Sequence, residues 1–294
     1  MFFYLVAASI VQILRQRGCE ITDFNHEDLL LYSAKRGYFD IIKLIVPYSK
    51  SQDTRDTCKI PIKRVKEALL IACSNKHLDI VNYLLTQYNS GITMNSALFL
   101  AITQDNLSAA SFLCENGADV NSQNSEGSSV LRVICERYRF KLVGELLTST
   151  STDSNTTTAI ANGHNSDLSM LELVLKQGAD TNVYYTDTGY TILLDTIQWI
   201  CLYKPTLIGI NMITILLQYG CDINKGQNYS GETALHIATS HRHIQLIKIL
   251  SAYGADVSRK NRANMSVLGI LKEGGKEVEN SEILRLLSED VTGV

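Results

Sequence analysis

His241 and His243 are the two residues of this chain whose type and spacing could hold a metal ion. Imidazole is a common zinc ligand, but a zinc site needs three or four protein donors. No aspartate or cysteine lies between Ser240 and Ile249 to complete such a set. The sequence therefore predicts no metal site, and no motif in it indicates another cofactor.

Cysteine is the second reactive residue type in the chain. The seven cysteines form no Cys-x-x-Cys pair, and their odd number argues against a complete disulfide framework. Cysteines within helical patterns behave as small apolar side chains. We expect reduced thiols and a cytoplasmic protein, with the nucleus as the other compatible location.

Catalytic motifs are missing from the sequence, which has no glycine-rich phosphate loop, no HExxH and no GxSxG. An active site would have to lie in one of two insertions, residues 49–66 and 148–167. Neither insertion carries a nucleophile and a base at a suggestive spacing. The formal net charge of −3 leaves no basic footprint for nucleic acid. We expect a protein that is not an enzyme and does not bind nucleic acid.

The elements that would position any site are clearest in residues 231–257. Thr233 is placed to cap a short helix, and Leu235 and Ala238 give that helix an apolar side. Apolar residues then recur at near-helical spacing over residues 244–250 and need a neighbour to cover them. Gly254 ends this second helix. One such unit cannot bury its own core, so several copies are required.

Copies of the unit recur along nearly the whole chain. Nine apolar pairs like Leu246-Ile247 are spaced about 34 residues apart on average, against about 33 for one known repeat class. Helix-ending signatures of the Gly-Ala-Asp or Gly-Cys-Asp type follow at Gly117, Gly178, Gly220 and Gly254. Together these features closely resemble the ankyrin repeat.

The resemblance implies an all-α fold, an ankyrin-type α-solenoid of stacked helix-turn-helix repeats with short β-hairpin tips. It also implies that His236 and His243 tie neighbouring turns and helices by hydrogen bonds. We expect one array over residues 1–294, with a partial repeat at 1–22 and a capping repeat at 263–288. The full repeats are expected at residues 26–48, 66–90, 95–124, 127–148, 158–185, 189–227 and 230–260, with insertions at 49–65 and 148–158.

Two repeats depart from the pattern. In the repeat ending at Gly178, the first helix must come from residues 158–163, and the Ser/Thr-rich stretch before it predicts that residues 148–168 are the least stable part. In the repeat ending at Gly220, about eight extra residues around Tyr203–Thr206 are expected to separate the two helices.

Two apolar stretches, residues 2–11 and 191–217, could be taken for membrane segments. The first lacks a basic leading region and continues in register into a truncated repeat. Asp195, Lys204 and Pro205 divide the second into pieces shorter than the about 20 residues that cross a bilayer. We therefore predict no membrane insertion.

Once metal binding, catalysis and membrane insertion are set aside, the function that the sequence still supports is binding through an exposed surface. Ankyrin-like arrays recognise partners with the hairpin tips and the concave face of the first helices, and the resemblance carries this role to specific tip residues. Aromatic and basic side chains at the tips would contact a protein partner. These residues are Tyr184, Tyr185, Tyr229, Arg259, Lys260 and Arg262.

The sequence thus predicts a non-enzymatic protein–protein interaction scaffold whose partner it does not name. One alternative is the ankyrin portion of a larger signalling, channel or ubiquitin-ligase adaptor protein. Another is a viral or bacterial effector that imitates host scaffolds.

Two further expectations concern short motifs. The resemblance implies hydroxylation at Asn121 and Asn224, which follow the Asp-Val and Asp-Ile pairs of two repeats, whereas the alternative is that these asparagines only shape the turn. The last residues place Thr292 two positions before Val294, as in peptides that bind PDZ domains.

Overall fold

A computed structural model describes residues 26–50, 60–88, 92–148, 168–203, 207–273 and 282–287. The chain divides into two compact units, residues 1–127 and 128–294, which we call the N-terminal and C-terminal units. Each unit is described by itself. The expected partial repeat at 1–22, the helix at 158–163, the soft segment at 148–168 and Val294 lie wholly or largely outside the described residues.

Three helix pairs form the described part of the N-terminal unit. They are α1 (His26–Arg36) with α2 (Phe39–Lys50), α3 (Ile62–Ser74) with α4 (Leu78–Gln87), and α5 (Met94–Thr103) with α6 (Leu107–Glu115). Helix α3 begins within the segment that the sequence suggested was an insertion. Pro61 precedes its first residue in an extended conformation, which suits the position just before a helix.

The turn inside each of these pairs depends on one residue in the left-handed conformation. That residue is Gly37, Lys76 or Asp105, with φ of 73°, 61° and 58°. The following amide then reaches back to close the first helix, as where the N–H of Tyr38 donates to the carbonyl of Ser33 at 2.9 Å. This Schellman arrangement satisfies carbonyl groups that a helix end leaves unpaired.

The helix pairs pack side by side through the first helices. Helix α3 contacts α1 on one side and α5 and α6 on the other, while α2 packs against α4. Leu30, Leu69 and Leu98 are completely buried between these layers. Burial of each such side chain contributes about 1.5–3 kcal/mol, so neighbouring pairs stabilise one another.

The C-terminal unit contains seven elements that carry its repeats. They are α7 (Val130–Thr148), α8 (Ser169–Lys176), α9 (Ile192–Tyr203), α10 (Leu207–Gln218), α11 (Ala234–Ser240), α12 (Ile244–Ala252) and α13 (Val267–Glu273). A further helical segment covers residues 282–287, within the expected capping repeat. The first helices α7, α9, α11 and α13 contact one another in that order.

Helix α7 corrects one expectation, because the repeat predicted at 127–148 has one continuous helix of 19 residues instead of two. A turn in its middle would need a residue that accepts a positive φ. Tyr138, Arg139 and Phe140 stand there, without the glycine, asparagine or aspartate that enters the left-handed region most readily. The helix therefore continues through the expected turn.

The long repeat at 189–227 corrects a second expectation. Its extra residues do not form a long connection, since α9 ends at Tyr203 and α10 begins at Leu207. Both helices have 12 residues, against 7 in α11 and 9 in α12 of the next repeat. The added length extends both helices, in a stretch where Ile and Leu predominate.

The tips between repeats are tight turns rather than strand ladders. The backbone N–H of Tyr185 donates to the carbonyl of Tyr190 at 2.8 Å. The backbone N–H of Gln227 donates to the carbonyl of Glu232 at the same distance. Lys260 and Ser266 form an isolated antiparallel β-bridge. The expected hairpin tips are therefore present as closed turns with minimal strand pairing.

Successive tips in the C-terminal unit are joined by a repeated side-chain bond, which we call the asparagine ladder. The Oδ1 atom of Asn182 accepts from the amide of Asp222, and Oδ1 of Asn224 accepts from the amide of Asp256, both at 2.8 Å. Each bond links one tip to the next. The ladder therefore fixes the spacing of neighbouring tips.

Candidate functional site

A groove of about 260 Å³ is lined by residues from three successive tips of the C-terminal unit. We call it the tip groove. Its lining includes the side chains of Tyr184, Gln227, Asn228, Arg259, Lys260 and Arg262. Four of the six contact residues expected from the sequence therefore line one cavity, although they come from tips about 75 residues apart.

The amide side chain of Gln227 holds the groove's central turn in place. Its Nε2 donates to the carbonyl of Thr188 at 2.8 Å, and its Oε1 accepts from the amide of Tyr229 at 2.7 Å. Only 9% of the residue is exposed. Gln227 therefore links the turn before α9 to the turn before α11 and shapes the groove.

Two glycines let the backbone come close together at the groove floor. A Cβ at Gly226 would lie 2.5 Å from the carbonyl oxygen of Gly231. Gly231 has a φ of 71°, and a Cβ there would lie 3.1 Å from the amide nitrogen of Arg262. Larger residues would clash or strain the turn, so the groove depends on glycine at both positions.

Tyr184 is held rigidly at one wall. Its hydroxyl donates to the carbonyl of Gly226 at 3.0 Å. The Nζ atom of Lys225 lies 4.6 Å from the centre of the Tyr184 ring and donates to the carbonyl of Asn182 at 2.7 Å. The ammonium group thus occupies a position over the aromatic ring.

Arg259, Lys260 and Arg262 form the basic wall and are all exposed. Within the described residues, none of the three forms an ion pair. Their backbone is fixed by a hydrogen bond from the amide of Arg262 to the carbonyl of Ser230 at 2.9 Å and by the bridge between Lys260 and Ser266. Three positive charges therefore stand on an ordered turn.

The nearby carboxylates are bonded within their own turns. Asp256 accepts from the amide of Ser258 at 2.8 Å and from its hydroxyl at 2.6 Å. These bonds hold the pKa of Asp256 below its usual value, with a smaller contribution from Arg259. Glu232 accepts a hydrogen bond from the hydroxyl of Ser230 at 3.2 Å.

Tyr229 stands at the groove margin, next in the chain to Asn228. It is 59% exposed. A Cβ at Gly189 would lie 2.7 Å from its ring, so glycine at that position lets the ring lie against the preceding tip. This arrangement fits the expected role of an exposed aromatic contact.

Tyr185 is a correction to the expected contact residues. Only 8% of it is exposed, and the guanidinium carbon of Arg132 lies 4.4 Å from its ring centre. Arg132 is held there by Asp187 at 2.7 Å and Glu136 at 2.8 Å. Burial raises the pKa of Tyr185 above its usual value. Tyr185 therefore packs in the core, because its side chain falls on the inner side of the turn.

The histidines take structural positions. His236 is fully buried, and its Nε2 lies 3.1 Å from the carbonyl oxygen of Met265 while its Nδ1 accepts from the amide of Thr233 at 3.3 Å. Desolvation lowers the pKa of both His236 and His243. The described residues contain no group of three or more metal-ligating side chains.

The two asparagines expected to be modified lie in tips. The backbone N–H of Asn224 donates a hydrogen bond to the side-chain Oδ1 of Asp222 at 2.9 Å. The side chain of Asn224 is part of the asparagine ladder. Asn121 is exposed, and its backbone N–H donates a hydrogen bond to the side-chain Oδ1 of Asp119 at 2.8 Å. In both tips it is the side chain of the preceding aspartate that accepts this bond within the turn, and modification of the asparagines stays a prediction.

Sequence reasoning missed Lys225, Gln227 and the two groove glycines. Their signal was weak, because a glutamine and a lysine in a turn are ordinary surface residues. Gly226 and Gly231, five residues apart around Gln227, could have indicated a close approach of two backbone segments.

No helix in the described ranges has both the length and the apolar character to cross a membrane.

Comparison with known families gives a match to the model described as ankyrin repeats (3 copies), over residues 3–97, 30–124 and 159–261. An ankyrin repeat protein of Acanthamoeba polyphaga mimivirus is 22% identical over 256 residues, which cover 84% of this chain and 28% of that protein. The B-cell lymphoma 3 protein homolog of Mus musculus is 30% identical over 100 residues, covering 34% of this chain and 20% of that protein. The chain thus spans about a quarter of the length of these relatives.

Among solved structures, the chain is similar to the ankyrin repeat domain of Bcl-3, described as a unique member of the IkappaB protein family. The TM-score is 0.54 at 20% identity, with 90% of this chain and all of that chain covered. This likeness supports the fold.

Proposed function

This chain belongs to the ankyrin repeat family, and we propose that it is a non-enzymatic scaffold that binds a protein partner through its tips. Ankyrin repeats are protein-interaction domains. The observation that carries the proposal is the tip groove, where Tyr184, Arg259, Lys260 and Arg262 line one cavity. The concave face of the first helices would extend the contact.

The chemistry of the groove supports binding rather than catalysis. Its polar groups are amide, phenol, guanidinium and ammonium groups, and no nucleophile is paired with a base among its lining residues. Aromatic and arginine side chains are the types most often found at the centres of protein interfaces.

Photocrosslinking tests the proposal at the level of one residue. Asn228 in the groove is replaced by p-benzoylphenylalanine, and the full chain is expressed in cells of its native host and irradiated. Gln245, exposed on α12, receives the same residue as the control. We expect discrete protein adducts from position 228 that are missing or several-fold weaker from position 245. Equal adduct patterns would contradict the proposal.

A viral scaffold that imitates a host protein is the second candidate. It is favoured by the mimivirus relative, whose match covers 84% of this chain. The genes that flank the coding region test it, since neighbouring viral genes would support this origin and neighbouring cellular genes would reject it.

The chain is also compatible with the ankyrin portion of a longer adaptor protein, because its relatives are three to five times longer than the matched parts. We propose a cytoplasmic or nuclear location. Fluorescence microscopy of the tagged full-length product checks the location, and a full-length transcript checks the size.

Hydroxylation of Asn121 and Asn224 is a separate proposal. Peptide mass spectrometry of the chain from its native host would detect an added oxygen on either residue. Peptides with both asparagines unmodified would count against it.

A further inference from the structure

The tip groove carries an excess of positive charge that its own surroundings leave uncompensated. Arg259, Lys260 and Arg262 form no ion pair in the described part of the chain, while Asp256 and Glu232 accept hydrogen bonds inside their own turns. A partner with negative charge would therefore meet cations that need not first break an ion pair.

The spacing of these cations fits several single charges. They stand at positions 259, 260 and 262, so three residues of one turn each carry a single positive charge. Arginine binds a carboxylate through two parallel hydrogen bonds, and lysine adds a point charge. Carboxylates spaced along an extended chain would match this distribution better than one doubly charged phosphate.

The size of the groove also favours a peptide. At about 260 Å³ it lies below the 300–1,000 Å³ that is usual for small-molecule pockets, so it accommodates a few side chains of a longer ligand. Asn228 lines the groove beside backbone groups of the glycines. Amides of this kind can bond to the main chain of an extended segment.

Single-stranded nucleic acid fits this surface less well. Base binding needs aromatic faces on which bases stack. The face of Tyr184 nearest Lys225 is already covered by that ammonium group, 4.6 Å from the ring centre. Tyr229 is the one largely exposed aromatic ring beside the groove within the described residues.

We propose that the tip groove binds an extended acidic segment of the partner protein, whose carboxylates pair with Arg259, Lys260 and Arg262 and whose neighbouring apolar side chain packs on Tyr229. The inference rests on the proposed scaffold function and names the chemistry of the partner. Tyr184 and Gln227 act as positioning residues that keep the groove open.

Fluorescence anisotropy of the full chain with a labelled probe tests the inference. The probe is an eight-residue peptide with five glutamates and one central leucine, and a matched peptide carries glutamine in place of every glutamate. We expect at least tenfold tighter binding of the acidic peptide at about 50 mM salt, and a loss of this preference as salt rises and screens the charges. Equal binding of both peptides would overturn the inference.

Two triple variants separate the groove from general electrostatics. The first variant combines Arg259→Ala, Lys260→Ala and Arg262→Ala. It should weaken binding of the acidic peptide at least tenfold. The second variant combines Lys176→Ala, Lys248→Ala and Lys272→Ala. It removes the same charge elsewhere in the unit and should change binding less than twofold. Circular dichroism confirms that both variants fold, which is expected because all six side chains are exposed. Equal losses in the two variants would contradict the groove as the site.

Additional probes distinguish other ligands. A phosphoserine peptide, inorganic phosphate or an eight-nucleotide RNA that binds more tightly than the acidic peptide would overturn the inference in favour of that chemistry. If crosslinking at position 228 yields protein adducts while the acidic peptide does not bind, the scaffold function stands and only the acidic segment is rejected. If neither is observed, both proposals fail.

Discussion

The Nε2 atom of His236 lies 3.1 Å from the carbonyl oxygen of Met265, so a buried imidazole in α11 is bonded to the turn of the next repeat. Because this nitrogen must donate to the carbonyl, Nδ1 is free to accept from the amide of Thr233. One side chain therefore links the start of its own helix to the neighbouring repeat.

The first prediction concerns loss of this link. His236→Ala should lower the free energy of unfolding by about 2–3 kcal/mol, since it leaves a part-buried carbonyl and a buried amide unpaired and removes packed atoms. Urea unfolding followed by circular dichroism measures the change. His241→Ala is the control, because His241 is exposed, and should change stability by less than about 0.5 kcal/mol. Similar losses in both variants would contradict the structural role of His236.

The second prediction concerns pH. Desolvation lowers the pKa of His236 and His243 in the folded chain below the about 6.5 of the unfolded chain. The unfolded state therefore binds more protons in acid, and stability should fall as the pH drops below about 6.5.

Urea unfolding at pH 7.5 and pH 5.0 measures this effect. Asp187 and Asp256 have lowered pKa values, so their contributions are lost only at still lower pH, below about 4. His236→Gln should reduce the drop in stability between the two pH values. A variant with an undiminished drop would show that His236 does not carry the effect.

The third prediction concerns the groove floor. Gly226→Ala would bring a Cβ to 2.5 Å from the carbonyl oxygen of Gly231, so the turn must move. We expect a cost of about 1–3 kcal/mol in stability and loss of acidic peptide binding. Gly254→Ala is the matched control, because its φ of 81° strains alanine but no atom lies within 4 Å of the added Cβ. It should retain peptide binding, and full binding by Gly226→Ala would refute the dependence on this glycine.

The fourth prediction concerns the buried ring of Tyr185. Its hydroxyl is buried and has no hydrogen-bond partner. Tyr185→Phe should therefore leave stability unchanged or raise it by up to about 1 kcal/mol, whereas Tyr185→Ala should cost about 3–5 kcal/mol. Thermal and urea unfolding provide the comparison. A loss above about 1 kcal/mol in the phenylalanine variant would mean that the hydroxyl is satisfied in solution.

Helix positions were predictable wherever the repeat pattern was strong. The spacing of Thr233, the apolar pair at 246–247 and Gly254 indicated α11 and α12 correctly. The pattern failed in α7, because apolar pairs at the right spacing do not reveal whether a residue between the two expected helices can adopt a positive φ. Lys76 and Arg242 do so in other repeats although lysine and arginine rarely favour it, so the sequence alone gives little warning.

The candidate site was predictable in part. The cations at 259, 260 and 262 and the phenol of Tyr184 were identified from their positions in tips. Burial of Tyr185 was not, since neighbouring tyrosines in a turn look alike until the direction of each side chain is known. The roles of Gly226 and Gly231 depend on distances between backbone segments that no local pattern encodes.

The asparagine ladder has a consequence for how this array could evolve. Asn182 and Asp222 are 40 residues apart, while Asn224 and Asp256 are 32 apart, yet both bonds measure 2.8 Å. The eight additional residues in the first interval are taken up by helices remote from the tips. The tip at 222–224 presents an asparagine acceptor to the next tip and an aspartate amide to the preceding one. Whole repeats could therefore be duplicated, lost or lengthened by genetic change without the need for a new type of contact between neighbouring tips.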